Sequence, residues 1–469
     1  VITSISIGYI KSFAKPQSIE LARPNGERGS GYNVIVGQNN TGKSTLITMT
    51  RLLLSNDDRI TIGQEARREP QKPVLEITWQ NETTEEQVWI NNNVEGAIFQ
   101  KSGNRHKLRG KTRFVPSRRP FGSDYNVSPL RVSEYEANEL SARLSNPAYF
   151  DGYLATSIAT LFGEESSKAA FLKALAAVDP STAKFSTDNI GGRNVLLYTG
   201  PSKLPHVVSD TGDGITNLVR IIYSLVTSEP GSCIIIDEPE LSLHPQLQRN
   251  LFKVLLDYSQ DRQVVCVTHS PHFVGWREIS GPAKLFRVSI DEAGESRIAS
   301  PTSSSFNAVN AHSDVMSRKY YDSVCKELFF ADRAVLLEGS EDVHYIENFL
   351  EATNQAPLPI MGYGCGGASV IRPWMRLCVD LGIKCAAIFD GDRKSEYEAA
   401  VNEFAAKSDC AQPFLLFKDD IRDKYERAPS GAETSTIAKE GVFRRDGAIH
   451  LTRRDEFQTL VEQVRAYLI

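Results

Sequence analysis

The chain has 469 residues, enough for two or three domains that each bury a core. Hydrophobic residues make up 41% and charged residues 24%, as in an ordinary globular protein, and a net charge of −5 excludes the global basic field of a small DNA-binding domain. Nucleic-acid contacts must then come from local basic patches, and no apolar run approaches the ~20 residues that cross a bilayer.

In chain order, residues 1–7 alternate apolar and polar side chains, which predicts a strand and lacks the charged start and apolar centre of a signal peptide. Residues 32–36 read as a buried strand and residues 43–54 as the helix after it; 74–79 and 87–90 read as strands of a neighbouring sheet. From 121 to about 185 the pattern changes: residues 134–144, 153–162 and 167–178 have helical spacing, which predicts a helical insertion. Strands return at 194–198, 232–236, 263–268 and 284–288.

Residues 300–314 are polar and weakly patterned, the expected inter-domain linker. A second α/β unit follows, with strands at 334–337 and 385–389 and helical patterns through Val343, Ile346, Phe349 and Leu350 and through Val370, Trp374, Leu377 and Leu381. The expected fold class is α/β, with domains at 1–312 and 313–430 and a C-terminal extension at 431–469. Seven cysteines without a C-x-x-C pair, two of them (Cys233 and Cys266) inside apolar strands, predict reduced thiols and a cytoplasmic protein.

Gly37 to Ser44 reads G-Q-N-N-T-G-K-S and fits G-x-x-x-x-G-K-[ST] between a predicted strand and a predicted helix. Such a loop wraps backbone N–H groups around phosphates at the positive end of the helix, so ATP contacts are expected from Gly37, Asn39, Asn40, Thr41, Gly42, Lys43, Ser44 and Thr45. Lys43 would neutralise the terminal phosphates, and Ser44 would ligate Mg²⁺. The apolar run at 234–236 ends in Asp237 and Glu238: the first would join the Mg²⁺ shell and the second polarise a water, although an acidic pair there can also be a solvated helix start. His269 directly follows a strand, where it would sense a γ-phosphate; alone, such a histidine is more often structural. Ser209, Gly212 and Gly214 lie in a second glycine-bearing loop that opens a helix.

These pieces resemble the ABC-type ATPases, in the branch with SMC-like and RecF-like proteins, and Glu238-Pro-Glu240 through His244-Pro245 looks like the stretch after the second nucleotide motif in that branch. The loop at 209–214 departs from the usual L-S-G-G-Q signature. As a signature loop it implies a homodimer through the ATPase heads, each completing the other's ATP site. Gln100 is a candidate for the family's glutamine loop.

Glu338-Gly339 ends one predicted strand of the second unit, with Glu341 and Asp342 close behind, and Asp390-Gly391-Asp392 ends another. The pattern resembles the Rossmann-like TOPRIM domain of topoisomerases, primases and certain nucleases. There Glu338, Asp342, Asp390 and Asp392 would hold Mg²⁺ or Mn²⁺ through oxygen ligands, with Glu338, Asp390 and Asp392 catalytic. A plain alternative is surface acidic turns. ATPase followed by TOPRIM is the order of the OLD (overcoming lysogenization defect) family, which includes the nuclease subunit of the Gabija antiphage system and effectors beside some retrons. The resemblance implies a DNA nuclease, often in phage defence, an oligomer of dimers, and partners such as a retron reverse transcriptase with its nucleic acid, or a helicase. It departs where family members carry a further acidic residue in an Ile-Glu context: here Arg422 follows Ile421, leaving Asp420 or Asp423 as substitutes. Lys439 is a loose match to a C-terminal lysine that assists in some members.

Between Lys101 and Arg119 stand eight basic and no acidic residues: Lys101, Arg105, Lys107, Arg109, Lys111, Arg113, Arg118 and Arg119. They read either as a solvated basic loop or as phosphate contacts to DNA, the latter through Lys107, Arg109, Lys111, Arg113, Arg118 and Arg119. Arg444, Arg445, Arg453 and Arg454 form a second patch. The leading expectation is an ATP-regulated, metal-dependent DNA endonuclease or nickase. The alternatives are an SMC-like or RecF-like DNA sensor with an inactive TOPRIM scaffold, and a topoisomerase or primase.

Overall fold

The computed structural model describes residues 1–55, 59–62, 72–81, 84–95, 98–116, 147–179, 184–190, 192–199, 203–208, 213–311, 323–427 and 433–469. The chain divides into two units, Val1–Ile298 and Ala299–Ile469.

The strands of the first unit are β1 (Ile2–Gly8), β2 (Gln17–Glu20), β3 (Tyr32–Val36), β4 (Arg59–Thr61), β5 (Val74–Asn81), β6 (Thr84–Glu95), β7 (Ile98–Gly103), β8 (Thr112–Val115), β9 (Lys184–Ile190), β10 (Arg193–Thr199), β11 (Pro205–Val207), β12 (Cys233–Asp237), β13 (Gln263–Val267), β14 (Lys284–Ile290) and β15 (Ser296–Ala299). Its helices are α1 (Lys43–Leu53), α2 (Arg105–Gly110), α3 (Pro147–Phe162), α4 (Glu165–Val178), α5 (Asp213–Thr227), α6 (Pro245–Tyr258) and α7 (Trp276–Ile279). The central sheet has the order β15-β14-β3-β13-β12-β8, and its pairs from β14 to β8 are parallel. Strands covered on both faces carry side chains that are apolar throughout, which is why Val34 to Val36, Ile234 to Ile236 and Val264 to Val267 read as unbroken hydrophobic runs. A second sheet, β2-β1-β5-β6-β7-β4, is antiparallel. Helix α1 contacts β12 of the first sheet and β5 and β6 of the second. Its Leu46, Met49 and Leu53 share one core with Ile5, Trp79, Ile235 and Val265.

One part of this unit differs from expectation. The basic stretch is not a loop: α2 and β8 lie within it, because Phe114 and Val115 are apolar enough to bury a strand beside β12. Of the helical insertion, α3 and α4 are seen at 147–162 and 165–178, while the helix expected at 134–144 lies outside the described residues.

The second unit runs α8 (Ser303–Ala311), α9 (Ser323–Lys326), β16 (Arg333–Leu336), α10 (Ser340–Ala352), α11 (Ala368–Asp380), β17 (Lys384–Phe389), α12 (Lys394–Phe404), β18 (Ala411–Leu415), β19 (Asp420–Arg422), β20 (Lys424–Arg427), β21 (Glu433–Lys439), β22 (Gly441–Phe443) and α13 (Arg454–Leu468). Strands β16-β17-β18 form a parallel sheet, β19 pairs in parallel with β22, and β20 pairs antiparallel with β21. Val343, Ile346, Phe349 and Leu350 line one face of α10 and meet Phe457, Val461 and Val464 of α13 in a single core. The rings of Phe349 and Phe457 pack edge to face at 5.0 Å. Residues beyond 430 thus complete this core. The stretch expected as a linker holds α8, which packs on α11. Among the described residues no helix is long and apolar enough to cross a membrane, and of the seven cysteines, which form no disulfide, Cys410 is the exposed one.

Candidate functional site

Parallel pairing of β12, β13 and β3 brings their C-terminal ends to one edge of the sheet, with Asp237 opposite Val267 and Val267 opposite Ile35. That edge delivers the loop at 37–42, Asp237 and Glu238, and His269, three separate sequence motifs. Gly37 has φ 139° and lies so close to β14 that a Cβ would stand 2.0 Å from the Val288 carbonyl oxygen, so a side chain is excluded there. Asn40 and Gly42 are also left-handed, and α1 starts directly after Gly42. The Ser296 hydroxyl donates to the Thr41 carbonyl at 2.6 Å and ties the loop to β15. Gln38, Asn39 and Asn40 are exposed at the tip, as is Ser44 on the first turn of α1, with Thr45 half-buried beside it.

Lys43 is buried and turns its ammonium back into the loop, donating to the carbonyls of Gly37, at 2.8 Å, and Gln38. Burial lowers its pKa to about 8, against the pull of Glu238, Asp237 and Glu240. The ring of His269 stands 3.9 Å from the Glu238 carboxylate, and burial, then the charge of Lys43, lowers its pKa and favours the neutral imidazole. Glu240 is the residue that sequence reasoning missed here. Its carboxylate accepts from the Thr268 hydroxyl at 2.7 Å and from the His269 backbone N–H at 2.6 Å, so it anchors the turn that presents His269. Burial raises its pKa while these two donors lower it.

Ser209 and Gly212 of the expected signature loop lie outside the described residues. Gly214 sits at the start of α5, where a Cβ would lie 2.3 Å from the Ser242 carbonyl oxygen. The Asn217 amide donates to the Pro239 carbonyl at 3.2 Å, so α5 begins against the segment that follows Asp237 in the same chain. Gln100 lies in β7, in the antiparallel sheet, where it pairs with Arg59.

In the second unit, β16 and β17 are parallel with Leu336 opposite Ala387, so Glu338 and Asp390 emerge side by side. The Asp390 backbone N–H donates to Glu338 Oε1 at 3.2 Å. Asp342 is buried, and one oxygen accepts from the Gly339 N–H at 2.8 Å, capping α10. Burial pushes Asp390 up to about 9, reinforced by the charges of Asp342, Glu338, Asp420 and Asp392. Asp342 rises to about 7, again from burial first, and Glu338 is raised for the same reason. Five carboxylates therefore share one field.

Asp420 is the fifth. It is buried on β19, and Lys424 stands 3.4 Å away. Asp423, the other substitute considered from sequence, is committed elsewhere: it accepts from the Gly441 N–H at 2.9 Å and lies 2.8 Å from His450. Arg422 donates to Glu341 at 2.8 Å, so the arginine in the Ile-Glu position is bound to a neighbouring acid and leaves Asp420 facing the cluster. Asp392, at the rim, is met by the ammonium of Lys439 and by Arg393 at 3.4 Å. Arg393 was not anticipated.

The donor set suits a hard divalent cation, since it is oxygen-only and its mutual repulsion is what such a cation would relieve. The placement is less complete. Among the described residues no three His, Cys, Asp or Glu side chains are set to hold one ion together. Lys439 and Arg393 supply positive charge at Asp392, and one oxygen of Asp342 is engaged as a helix cap.

The basic stretch of the first unit divides in two. Lys101 is buried, its ammonium donating to the Ser55 carbonyl at 3.3 Å, and half-buried Arg113 on β8 donates to the Thr227 carbonyl at 2.8 Å. Arg113 is thus a structural tie between β8 and α5. Lys107 and Lys111 are exposed and Arg109 half-buried, while Arg118 and Arg119 lie outside the described residues. In the second patch Arg453 turns inward to Glu440, at 3.1 Å, and to Gly441.

Residues 32–275 match the family described as "AAA domain, putative AbiEii toxin, Type IV TA system", and residues 329–392 match the overcoming lysogenization defect protein-like TOPRIM domain. A curated relative, the OLD nuclease of Thermus scotoductus, is 29% identical over 164 residues, which are 34% of this chain and 30% of that protein. The chain thus spans about a third of the length of the relative it matches. Similar solved structures include the SMC head domain from Thermotoga maritima, 13% identical with a TM-score of 0.39 over 64% of this chain and 99% of that one. Another is the Smc head domain with an extended coiled coil from Pyrococcus furiosus, 12% identical with a TM-score of 0.44 over 66% and 98%. The chain belongs to the AAA-domain family so described, and couples that ATPase domain to an OLD-like TOPRIM domain in the manner of the OLD family.

Proposed function

We propose that the protein is an ATP-regulated DNA endonuclease or nickase that uses Mg²⁺ or Mn²⁺ at the TOPRIM carboxylates and acts in antiphage defence. The observation that carries the reading is that Glu338 and Asp390 emerge side by side at the end of a parallel sheet, close enough for the Asp390 N–H to reach Glu338, with Asp342, Asp420 and Asp392 in the same electrostatic field. Glu338, Asp390, Asp392 and Asp420 would hold the cation, which would supply an activated water and stabilise the leaving oxygen of a phosphodiester. Lys439 and Arg393 would then pass from the carboxylates to the substrate phosphate. In the first unit, the loop at 37–45 and Asp237 would bind ATP with Mg²⁺, Glu238 would polarise the attacking water, and His269 would sense the γ-phosphate. A head-to-head homodimer, with DNA and a defence-system partner such as a reverse transcriptase or helicase, belongs to the same reading.

The contact of Lys439 with Asp392 favours a second reading, a nucleotide-driven DNA sensor whose TOPRIM domain is a scaffold. Incubating supercoiled plasmid with Mg²⁺ or Mn²⁺, with and without ATP, separates the two. Nicked or linear product that Asp390→Ala abolishes, with ATP hydrolysis retained, supports the nuclease; binding without cleavage supports the sensor. Loss of both activities in Asp390→Ala would refute the division of labour.

A further inference from the structure

Beside the carboxylate cluster the second unit holds a cavity of about 460 Å³ lined by Ser340, Glu341, His344, Tyr345, Arg422 and Arg445. Ser340, Glu341 and His344 project from the first turns of α10, immediately after Glu338 and Gly339. Arg422 comes from β19 and Arg445 from the turn after β22, two residues beyond Phe443. Three elements separate in sequence thus build one wall.

The chemistry of that wall is mixed. Glu341 is its one acid, and two cations hold it, Arg422 at 2.8 Å and Lys424. With Arg445 the lining side chains set two guanidinium groups against one carboxylate, in a chain whose overall charge is negative. Lys424 also lies 3.4 Å from Asp420, so one ammonium joins the cavity's acid to the carboxylates. Tyr345 is half-buried against Phe443, ring centroids 5.2 Å apart, and His344 packs edge to face on Tyr345 at 5.8 Å, which fixes two rings at the wall. Arg445 carries its guanidinium over the ring of Tyr425 at 6.0 Å.

We propose that this cavity is a subsite for one nucleotide of the DNA strand flanking the cut. Its backbone phosphate lies against Arg445, Arg422 and Ser340, and its base lies over the exposed ring of His344, which Tyr345 meets edge to face. The inference rests on the nuclease reading and extends it to a named position of the substrate. The volume argues for a nucleotide over a bare anion: it falls within the ~300–1,000 Å³ of small-ligand pockets. Rings plus basic groups are the combination by which proteins hold single-stranded nucleic acid without reading its sequence. Glu341 has a part in this: by binding Arg422 and Lys424 it keeps both side chains at the wall, near the carboxylates.

The test uses the full-length chain and a fluorescently labelled single-stranded 12-residue deoxyoligonucleotide, with binding followed by anisotropy in EDTA across a salt series. No cutting occurs there, so the result stands apart from the nuclease reading. Arg445→Ala is expected to weaken binding about tenfold and to lower the salt slope by about 0.7, the share of one phosphate contact on a single strand. His344→Ala is expected to weaken binding several-fold with the slope unchanged, because it removes a stacking ring and no phosphate contact. Lys11→Ala, in the first unit, should leave both quantities as in the wild type. Equal affinity and slope in Arg445→Ala and wild type would overturn the subsite even if the plasmid is cut. Loss of affinity in Arg445→Ala without plasmid cleavage would support the subsite and refute the nuclease.

Discussion

The ammonium of Lys439 rests on the carboxylate of Asp392, joining β21 to the turn after β17 across 47 residues of sequence. The pair is part-exposed, so its own contribution to stability is small, about 0–1 kcal/mol. Its consequence is for metal binding, since a cation entering the cluster competes with the lysine for Asp392. Lys439→Met is therefore expected to tighten Mn²⁺ binding by up to about fivefold, as measured by titration calorimetry without DNA. Cleavage in the same variant should fall if the lysine goes on to meet the substrate phosphate. An unchanged or weaker Mn²⁺ affinity would show that the lysine does not compete.

The shared field of the carboxylates sets a pH dependence. Asp390 is raised to about 9 and Asp342 to about 7, both chiefly by burial. An acid whose folded pKa is raised binds more protons folded than unfolded, so stability falls as pH rises from the ordinary carboxylate range towards those values. A divalent cation reverses the sign, because it favours the ionised form of the same groups. The gain in melting temperature on adding Mg²⁺ should accordingly be larger at pH 8 than at pH 6, measured on the full chain. Lys43→Ala in the background removes any contribution of Mg²⁺ at the phosphate loop. A gain independent of pH would place the metal elsewhere.

The sequence shows those features that a few consecutive residues decide. Val34 to Val36, Ile234 to Ile236 and Ala386 to Phe389 are buried runs ending in functional residues, so strand and motif are visible together. Strand β8 was hidden because basic residues surround Phe114 and Val115, and its burial depends on pairing with β12, more than a hundred residues away. Helix α8 was hidden in a serine-rich stretch. Its start is held by Thr302 and Ser305 on the Asp380 carboxylate, and Phe306 and Val309 turn inward. The choice between Asp420 and Asp423 could not be read locally either. It is made by His450 and the Gly441 N–H, which engage Asp423 from 18 or more residues on. Glu240 lay in a stretch the sequence singled out, yet its hold on Thr268 and His269 is a tertiary contact.

Lys43 offers the plainest test of the nucleotide edge. Its ammonium is buried and satisfied by two loop carbonyls, so binding phosphate must redirect a cation already in place. Lys43→Ala is expected to weaken ATP binding at least about 100-fold, or about 3 kcal/mol, in an equilibrium assay with a fluorescent analogue. Because burial lowers the lysine to about 8, ATP binding at pH 9 should take up a proton that binding at pH 7 does not. Calorimetry in buffers of different ionisation enthalpy reads that proton directly. Wild-type affinity in Lys43→Ala would remove the loop from the ATP site.

Glu240 makes a prediction that separates positioning from binding. Its two oxygens accept from the Thr268 hydroxyl and from the His269 backbone N–H. Glu240→Gln keeps the volume but replaces one acceptor by a donor, so one of those two bonds must be lost. The turn carrying His269 then loosens, while Lys43 keeps its hydrogen bonds to the carbonyls of Gly37 and Gln38. ATP affinity should stay within about twofold, and hydrolysis should slow by about tenfold or more, the cost of one charge-assisted hydrogen bond. His269→Ala in the same background should add little, since both changes act on one element. Fully additive losses would mean that Glu240 acts on the reaction by a route that does not pass through His269.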